Sequence, residues 1–374
     1  SNIYKSIDWR AINMSFSTGS GGTSHKVTWN FGGKTFAHTA PTDFVALQQD
    51  NLPETGKGVP DFVWIKNRTE AYTNMLFNSS RGVNKRLRSD TTSSELTYRN
   101  MLNKFLKGGC QVGEEDSVNK GTNSFVSWNW VANGGTTSAN TDGSGATLAS
   151  TIQANQTAGF SIVEYTGNAT AGAKVAHGLS AAPKWLLVKR LDDTGNWYYY
   201  HASAGATKYQ GGTNAAFASS SATWNNTAPT SSVFSLGSGD TNTNSANFIA
   251  FCWNEVRGYS KFGSYLGNAN ADGPFVYTGF KPAYVLFKAD NTAYHHIADK
   301  TRQPFNPNFK VLYASLANAE ANNSSADLDF LSNGFKIRQG NNLNLNYSDV
   351  TTYYMAFAEH PFAGTSNINP ITAH

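Results

Sequence analysis

The hydrophobic pattern of the chain is built on one motif that occurs three times. A proline, any residue, an aromatic residue, three apolar residues and a lysine follow one another at residues 60–66, 183–189 and 282–288. An uninterrupted apolar run of this length, rich in β-branched and aromatic residues, is typical of a strand that is buried on both faces. The pattern therefore predicts three central β-strands.

Two further patterns follow each motif in the same order. A short strand is predicted 50, 51 and 53 residues after the three prolines, at Cys110, Phe234 and Phe335. A strand with the order aromatic, apolar, small, aromatic begins 65, 65 and 72 residues after them, at Phe125, Phe248 and Tyr354. This order and spacing predict three diverged copies of one module. Because Cys110 replaces a phenylalanine, it is predicted to be a core side chain.

The repeat sets the predicted domain boundaries. Modules are expected at residues 57–135, 158–268 and 269–374, and the Gly, Thr, Ser and Asn of residues 136–157 are interpreted as a linker. Residues 1–56 stand outside the repeat. Short strands divided by Gly and Asn turns predict an all-β fold of sandwich or jelly-roll-like modules.

One segment has helical rather than strand spacing. A helix is predicted to begin at Ser94 and to end at Gly108, with apolar side chains three or four positions apart at Tyr98, Met101, Leu102, Phe105 and Leu106.

Composition points away from several classes of function. Only 14% of residues are charged, against about 25% in an average soluble protein, and Ser, Thr, Asn and Gly replace them. The net charge of +4 is scattered, whereas nucleic-acid binding needs a clustered basic stripe. No apolar run approaches the roughly 18 residues of a membrane span. We therefore predict neither a nucleic-acid partner nor membrane insertion.

The candidate chemistry is sparse, and the sequence predicts no enzyme. Glycoside hydrolysis needs two carboxylates that face the same glycosidic bond. The acidic clusters of this chain lie in turn-like segments, where that arrangement is difficult. Glu164 and Glu255 have apolar neighbours but no matching carboxylate in the other copies. His295 and His296 are adjacent on a predicted strand and face opposite ways, so they do not suit one metal ion. No catalytic residue, metal site or cofactor is predicted.

Aromatic residues are the main evidence in the sequence for a ligand-binding site. Alternation along residues 196–201 places Trp197, Tyr199 and His201 on one face of a strand, and Tyr198 and Tyr200 on the other. One face is expected to be core, and the other is either an exposed platform for a sugar ring or a surface covered by a neighbouring subunit. The tentative ligand-binding set adds polar neighbours and the matching strand of the third copy: Asp193, Asn196, Trp197, Tyr199, His201, Tyr294 and His296.

Two resemblances to phage proteins complete the picture. Val27–Phe36 followed by Pro41–Leu47 resembles the closing strands of SPRY-type β-sandwiches of bacteriophage proteins. Because about 50 residues cannot close such a sandwich, residues 1–56 are interpreted as the remnant of a larger domain that extends upstream of Ser1. From Pro60 onward the chain resembles a family of marine tailed-phage virion proteins. The phrases that carry this include residues 64–68, 158–163, 224–234, 272–277 and 329–336.

The second resemblance implies a place outside the cell, on the virion, in a tail fibre, tail appendage or capsid fibre. We therefore expect host attachment through a surface glycan. A structural or decorating component without a ligand is the alternative, and a glycan-hydrolysing tailspike is the third possibility. The expected partners are other virion proteins and the chain itself as a homotrimer. The competing expectation is that three copies in one chain already form a pseudo-threefold ring.

Overall fold

A computed structural model describes residues 59–106, 109–132, 144–323, 327–340 and 344–360, and the backbone of further strands at 11–17, 25–31, 34–40, 44–45 and 138–139. The described chain consists of antiparallel sheets with one four-residue helix, α1 (Ser221–Trp224). The predicted all-β class is therefore confirmed. No helix in these ranges is long and apolar enough to cross a membrane.

The strands form three groups, called here modules 1, 2 and 3. Module 1 contains β1 (Ala11–Ser17), β2 (His25–Phe31), β3 (Lys34–Ala40), β4 (Phe44–Val45), β5 (Phe62–Asn67), β6 (Met75–Asn78), β7 (Lys85–Arg86), β8 (Leu96–Thr97), β9 (Leu102–Leu106), β10 (Gly109–Val112) and β11 (Ser124–Trp130). Module 2 contains β12 (Ser138–Ala139), β13 (Ser150–Asn155), β14 (Phe160–Thr166), β15 (Ala173–Ala176), β16 (Trp185–Arg190), β17 (Trp197–His201), β18 (Lys208–Gly211), β19 (Ala218–Ser219), β20 (Val233–Leu236) and β21 (Asn247–Trp253). Module 3 contains β22 (Ser260–Leu266), β23 (Phe275–Tyr277), β24 (Pro282–Ala289), β25 (His296–Asp299), β26 (Lys310–Tyr313), β27 (Ala321–Asn322), β28 (Leu328–Leu331), β29 (Gly334–Ile337) and β30 (Thr351–Ala358).

Each module repeats one sandwich. The main sheets contain the matching orders β1-β11-β5-β6, β14-β21-β16-β17 and β22-β30-β24-β25. The smaller sheets are β4-β10-β9, β15-β20 and β23-β29-β28. The motif strands β5, β16 and β24 therefore hold the same topological position. One face of each main sheet packs on the smaller sheet of its own module, and the three resulting cores are separate.

The register of module 3 differs from the sequence alignment by two residues. Trp130 lies opposite Phe62 and Trp253 opposite Trp185, but Phe357 lies opposite Tyr284, after a bulge at the start of β24. Phe357 therefore takes the place of the two tryptophans. A shift of two residues leaves every side chain on its original face, because side chains alternate along a strand.

The other faces of the three main sheets share one central aromatic core. The Phe62 ring stacks on Phe251 of module 2 at 4.3 Å, and Trp130 contacts Tyr284 of module 3 at 6.0 Å. Tyr199 of module 2 stacks on His295 of module 3 at 4.5 Å. A cavity of about 10 Å³ lies among Trp64, Trp130 and Trp185 in this core, so aromatic side chains from modules 1 and 2 pack closely there.

One loop from each module crosses to the next module. The loops at residues 87–95, 212–217 and 314–320 join β7 to β8, β18 to β19 and β26 to β27. Each loop donates one backbone hydrogen bond to the next module. The Glu95 N–H donates to Leu191 O at 2.9 Å, the Phe217 N–H to an Asp290 side-chain oxygen at 2.9 Å, and the Glu320 N–H to Arg68 O at 2.8 Å. Each acceptor residue lies eight positions after a motif proline. The modules thus close a head-to-tail ring within one chain.

The helix predicted from Ser94 to Gly108 is wrong. This segment holds β8 and β9, and β9 forms a hairpin with β10. Asn100 adopts a left-handed backbone conformation with φ of 61°, which a right-handed helix does not accommodate. Met101 and Leu102 are both buried in the module 1 core, and Leu102 begins β9, so strand pairing overrides the apparent helical spacing.

Strand pairing also crosses two predicted boundaries. β1 pairs with β11, where modules 2 and 3 use β14 and β22, and β4 pairs with β10, where they use β15 and β23. The strands β1 to β4 therefore belong to the two sheets of module 1. In the same way β13, which falls in the predicted linker, pairs along β14. The evolutionary boundaries, and the interpretation of residues 1–56 as a remnant, stay predictions.

Candidate functional site

The predicted aromatic platform on β17 is not exposed. Trp197, Tyr199 and His201 have 1, 3 and 1% of their surface accessible. The Trp197 ring N–H donates to Arg88 O of module 1 at 2.8 Å, and His201 Nε2 lies 3.2 Å from Tyr354 O of module 3. Modules of the same chain therefore cover these residues, and the expectation of an exposed platform is wrong for them.

The two predicted residues of module 3 are also enclosed. Tyr294 is half-buried and its ring lies 5.8 Å from that of Tyr313. His296 is 1% exposed and packs edge-on against Phe287 at 5.9 Å. Burial, with a smaller contribution from Arg302, lowers the pKa of His296 to about 3. Within the described ranges, no group of three or more His, Cys, Asp or Glu side chains is placed to hold a metal ion.

Asp193 and Asn196 are the exposed members of the predicted set. Asn196 lines a cleft of about 350 Å³, called here the small cleft, between modules 1 and 2. Its other lining residues are Thr92, Arg190, Thr194, Gly195, Tyr198, Asp240 and Thr243. The Tyr198 hydroxyl donates to Asp240, and burial followed by the Asp240 carboxylate raises the pKa of Tyr198. Asp193 lies beside the small cleft, 3.6 Å from the Arg190 guanidinium.

A larger cleft of about 560 Å³ also lies between modules 1 and 2. Module 1 contributes Ser80, Arg81, Lys85 and Glu95, and module 2 contributes Ala149, Ser150, Thr151, Glu164, Tyr165, Thr166, Leu191, Asp192, Asn247 and Phe248. Asp192 accepts from Arg190 Nε at 2.6 Å. Because Asp192 lines the large cleft and Arg190 lines the small one, this ion pair stands in the wall between them.

Arg81 is the most deeply buried charged group of the large cleft, with a side chain 1% exposed. Its Nη1 donates to Glu95 Oε2 at 2.8 Å and its Nη2 to Leu76 O at 3.3 Å. No acceptor among the described residues meets its Nε. Burial lowers the pKa of Arg81, and Glu95 opposes that effect.

Glu164 faces Arg81 from module 2. It lies within β14, opposite Thr151 on one neighbouring strand and Ile249 on the other. Its Oε1 is buried, and no donor in the described chain reaches it. Burial raises the pKa of Glu164, Arg81 opposes this effect, and Glu95 adds to it. One buried donor and one buried acceptor in the walls of the cleft therefore have no partner among the described residues.

The motif lysines Lys66, Lys189 and Lys288 form a third set of polar residues, which was not predicted from the sequence. All three have no accessible surface. Each ammonium donates to two backbone carbonyls, at 2.8 and 3.1 Å for Lys66, 3.1 and 2.8 Å for Lys189, and 2.6 and 2.8 Å for Lys288. Burial lowers their pKa values to about 8, 8 and 7.

Two motif lysines donate hydrogen bonds to crossing loops of other modules. Lys66 binds Ala317 O of the module 3 loop, and Lys189 binds Thr92 O of the module 1 loop. Their role is therefore to hold the ring together. The recurrence of lysine after every apolar run was the signal that could have identified them.

Comparison with known proteins adds one match. A family model described as a domain of unknown function, DUF7483, matches residues 49–361. No curated protein and no solved structure matches the chain.

Proposed function

The chain belongs to the family of the domain of unknown function DUF7483, and we propose that it is a surface component of a tailed-phage virion that recognises a host-surface glycan. The virion location rests on the resemblance of residues 60 onward to phage virion proteins. Glycan recognition rests on the polar clefts between modules 1 and 2. No catalytic step is part of this proposal.

The observation that carries the proposal is the chemistry of the small cleft. Asn196 offers an amide donor and a carbonyl acceptor, Arg190 offers donors, and Asp240 offers acceptors, and Tyr198, whose hydroxyl bonds to Asp240, also lines the cleft. A sugar presents hydroxyl groups that both donate and accept hydrogen bonds, so it can pair with each of these groups. The exposed position of Asn196 at the rim leaves it accessible to a large glycan.

A glycan array probed with the full chain tests this function. Asn196→Ala removes two hydrogen-bonding groups and is expected to weaken binding about 2- to 10-fold. Asn322→Ala, at an exposed asparagine of module 3, is the matched control and should leave binding unchanged. Equal binding by the two variants would remove the small cleft from the proposal, and an array with no bound glycan would overturn the function.

A structural or decorating role is the second candidate, and one observation favours it. On β23, Phe275 and Tyr277 are 47 and 65% exposed, whereas Val276 between them is buried. An exposed aromatic pair on a sheet is suited to contact another protein or a second copy. The expected homotrimer would use such a surface, because the crossing loops already join the modules within one chain.

Light scattering tests assembly through this surface. A wild-type mass three times that of the chain, reduced to the mass of one chain by Phe275→Ser with Tyr277→Ser, would support assembly through this surface. A single-chain mass at micromolar concentration would contradict the homotrimer.

A further inference from the structure

We infer that the large cleft binds an uncharged, hydroxyl-rich sugar unit, which accepts a hydrogen bond from Arg81 Nε and donates one to Glu164 Oε1. This inference rests on the proposed glycan function and specifies its site and ligand class. Its evidence is the difference between the residues of this cleft and the corresponding residues of module 3.

Arg81 and Arg302 occupy equivalent positions in modules 1 and 3. Asn78 lies opposite Phe62, and Asp299 lies opposite Tyr284, so Asn78 and Asp299 correspond. Each is followed three residues later by the arginine, whose backbone N–H donates to the side chain of Asn78 or Asp299, at 3.0 or 2.9 Å.

The two arginines share most of their partners. Nη1 reaches a glutamate of the crossing loop in both modules, Glu95 at 2.8 Å and Glu320 at 3.1 Å. Nη2 donates to a backbone carbonyl of β6 or β25, at 3.3 and 2.7 Å. The same network is therefore built twice, between modules 1 and 2 and between modules 3 and 1.

The networks differ at Nε. Arg302 Nε donates to the carboxylate of Asp299 at 2.6 Å. Module 1 has the amide Asn78 at that position, and Arg81 Nε has no partner among the described residues. The amide Nδ2 of Asn78 likewise has no acceptor among the described residues. Each buried donor of this kind is destabilising by about 1–3 kcal/mol, so an acceptor supplied by a ligand would offset part of this loss.

The carboxylate missing from module 1 has a counterpart on the opposite wall. The strand registers place Glu164 of module 2 where module 1 has Ser15 and module 3 has Ser264. Among the three copies, this position is therefore acidic only in module 2, where it faces Arg81. The protein does not close the pair with a hydrogen bond, since Glu164 Oε1 accepts none from the described residues.

The surrounding charges select the ligand class. Glu95 is paired with both Arg81 and Lys85, at 2.8 and 3.5 Å, and Asp192 is paired with Arg190. An anionic ligand would approach Glu164, and a cationic ligand would approach Arg81, so either would meet a like charge. A hydroxyl group satisfies both ends because it donates and accepts. The volume of about 560 Å³ lies within the 300–1,000 Å³ typical of small-molecule sites.

Two variants test the site in opposite ways. Glu164→Gln removes the charge-assisted acceptor and is expected to weaken binding of a neutral sugar at least about tenfold. Asn78→Asp recreates the module 3 arrangement, gives Arg81 Nε an internal acceptor, and is expected to weaken binding as well. Asp272→Asn, at an exposed carboxylate paired with Lys336, is the matched control and should bind like the wild type.

Stability distinguishes a ligand site from a structural pair. If Glu164 serves only to balance Arg81, Glu164→Gln should lower the melting temperature. If it awaits a ligand, removing a buried and unsatisfied charge should leave the melting temperature unchanged or raised. Asn78→Asp should likewise not lower it.

Calorimetry of the full chain should use neutral gluco-, galacto- and manno-oligosaccharides, with oligogalacturonate and chitosan oligosaccharides as charged comparisons. We expect binding of a neutral sugar that Glu164→Gln and Asn78→Asp both weaken. Preferential binding of a charged sugar would overturn the ligand class, and binding that responds only to Asn196→Ala would overturn the site. Both of those results would leave the proposed function in place. No binding of any oligosaccharide would overturn the inference and the proposed function together.

Discussion

Arg302 is expected to be one of the most sensitive positions for stability. Its side chain and that of Asp299 have no accessible surface, and their ion pair spans 2.6 Å. Burial alone would lower the pKa of Arg302, but Asp299 and Glu320 together raise it above its ordinary value. The ion pairs therefore outweigh the loss of solvation. Because Glu320 also pairs with Arg68 at 2.8 Å, the network joins module 3 to module 1.

Removing the arginine should leave a buried carboxylate without a cation. Breaking a buried pair in this way typically reduces stability by about 3–5 kcal/mol. Asp299 would keep the Arg302 backbone N–H at 2.9 Å and the Trp128 ring N–H at 3.2 Å, which places the expected loss for Arg302→Met near the lower end, at about 3 kcal/mol. That is a large share of the 5–15 kcal/mol by which proteins are usually stable.

Urea unfolding, followed by the fluorescence of the nine tryptophans and by circular dichroism, measures this loss. Arg338→Met is the control, because Arg338 is 47% exposed and pairs with Asp329 at the surface, where an ion pair contributes about 0–1 kcal/mol. The double variant Asp299→Asn with Arg302→Met should be more stable than Arg302→Met alone, since it carries no uncompensated charge. A loss below about 1 kcal/mol, or no gain in the double variant, would refute this reasoning.

Three further outcomes follow from burial. The pKa values of the motif lysines, about 8, 8 and 7, lie below the ordinary 10.5. Between these lowered values and 10.5 the unfolded chain binds more protons than the folded chain, so stability should rise with pH across this window. In thermal unfolding at several pH values, Lys288→Met should make this rise smaller. Phe62→Ala, at a fully buried ring of the central core, should reduce stability by about 3–5 kcal/mol in urea, whereas Phe305→Ala, at a ring 78% exposed, should change it little. Burial raises the thiol pKa values of Cys110 and Cys252 to about 12, so an aromatic disulfide reagent should label both cysteines in urea and neither in the native chain.

The repeat could be predicted from the sequence, but the arrangement of its three copies could not. Alternation along β17 correctly separates Trp197 and Tyr199 from Tyr198, because a strand has a period of two. It does not reveal what covers each face. The first face packs in the core shared by all three modules, and the second packs inside module 2. Since both partners are distant in sequence, an aromatic face covered by another module looks the same as an exposed platform.

The candidate site was hidden for a related reason. Glu164 was conspicuous in the sequence as an acidic residue among apolar ones, but Arg81, which faces it, lies among the basic residues of positions 81–88. The crossing loop of residues 87–95 buries Arg81 by placing Glu95 against it. Glu95 lies 14 residues from Arg81 along the chain, and local hydrophobic patterning does not encode a contact at that separation.

Comparison of the three copies separates residues that hold the ring together from residues that distinguish one boundary. The motif lysines occur in every module and bind backbone carbonyls, so their retention follows from the shared architecture. At the boundary between modules 1 and 2, by contrast, Asn78 takes the place that Asp299 has at the boundary between modules 3 and 1, and Glu164 takes the place that Ser15 has there. Among the described residues, these changes leave Arg81 Nε and Glu164 Oε1 without a partner, whereas Arg302 Nε is paired with Asp299. Natural proteins depart from local stability mainly where function requires it, so these two departures, facing each other across one cleft, favour ligand binding there over a purely structural ring.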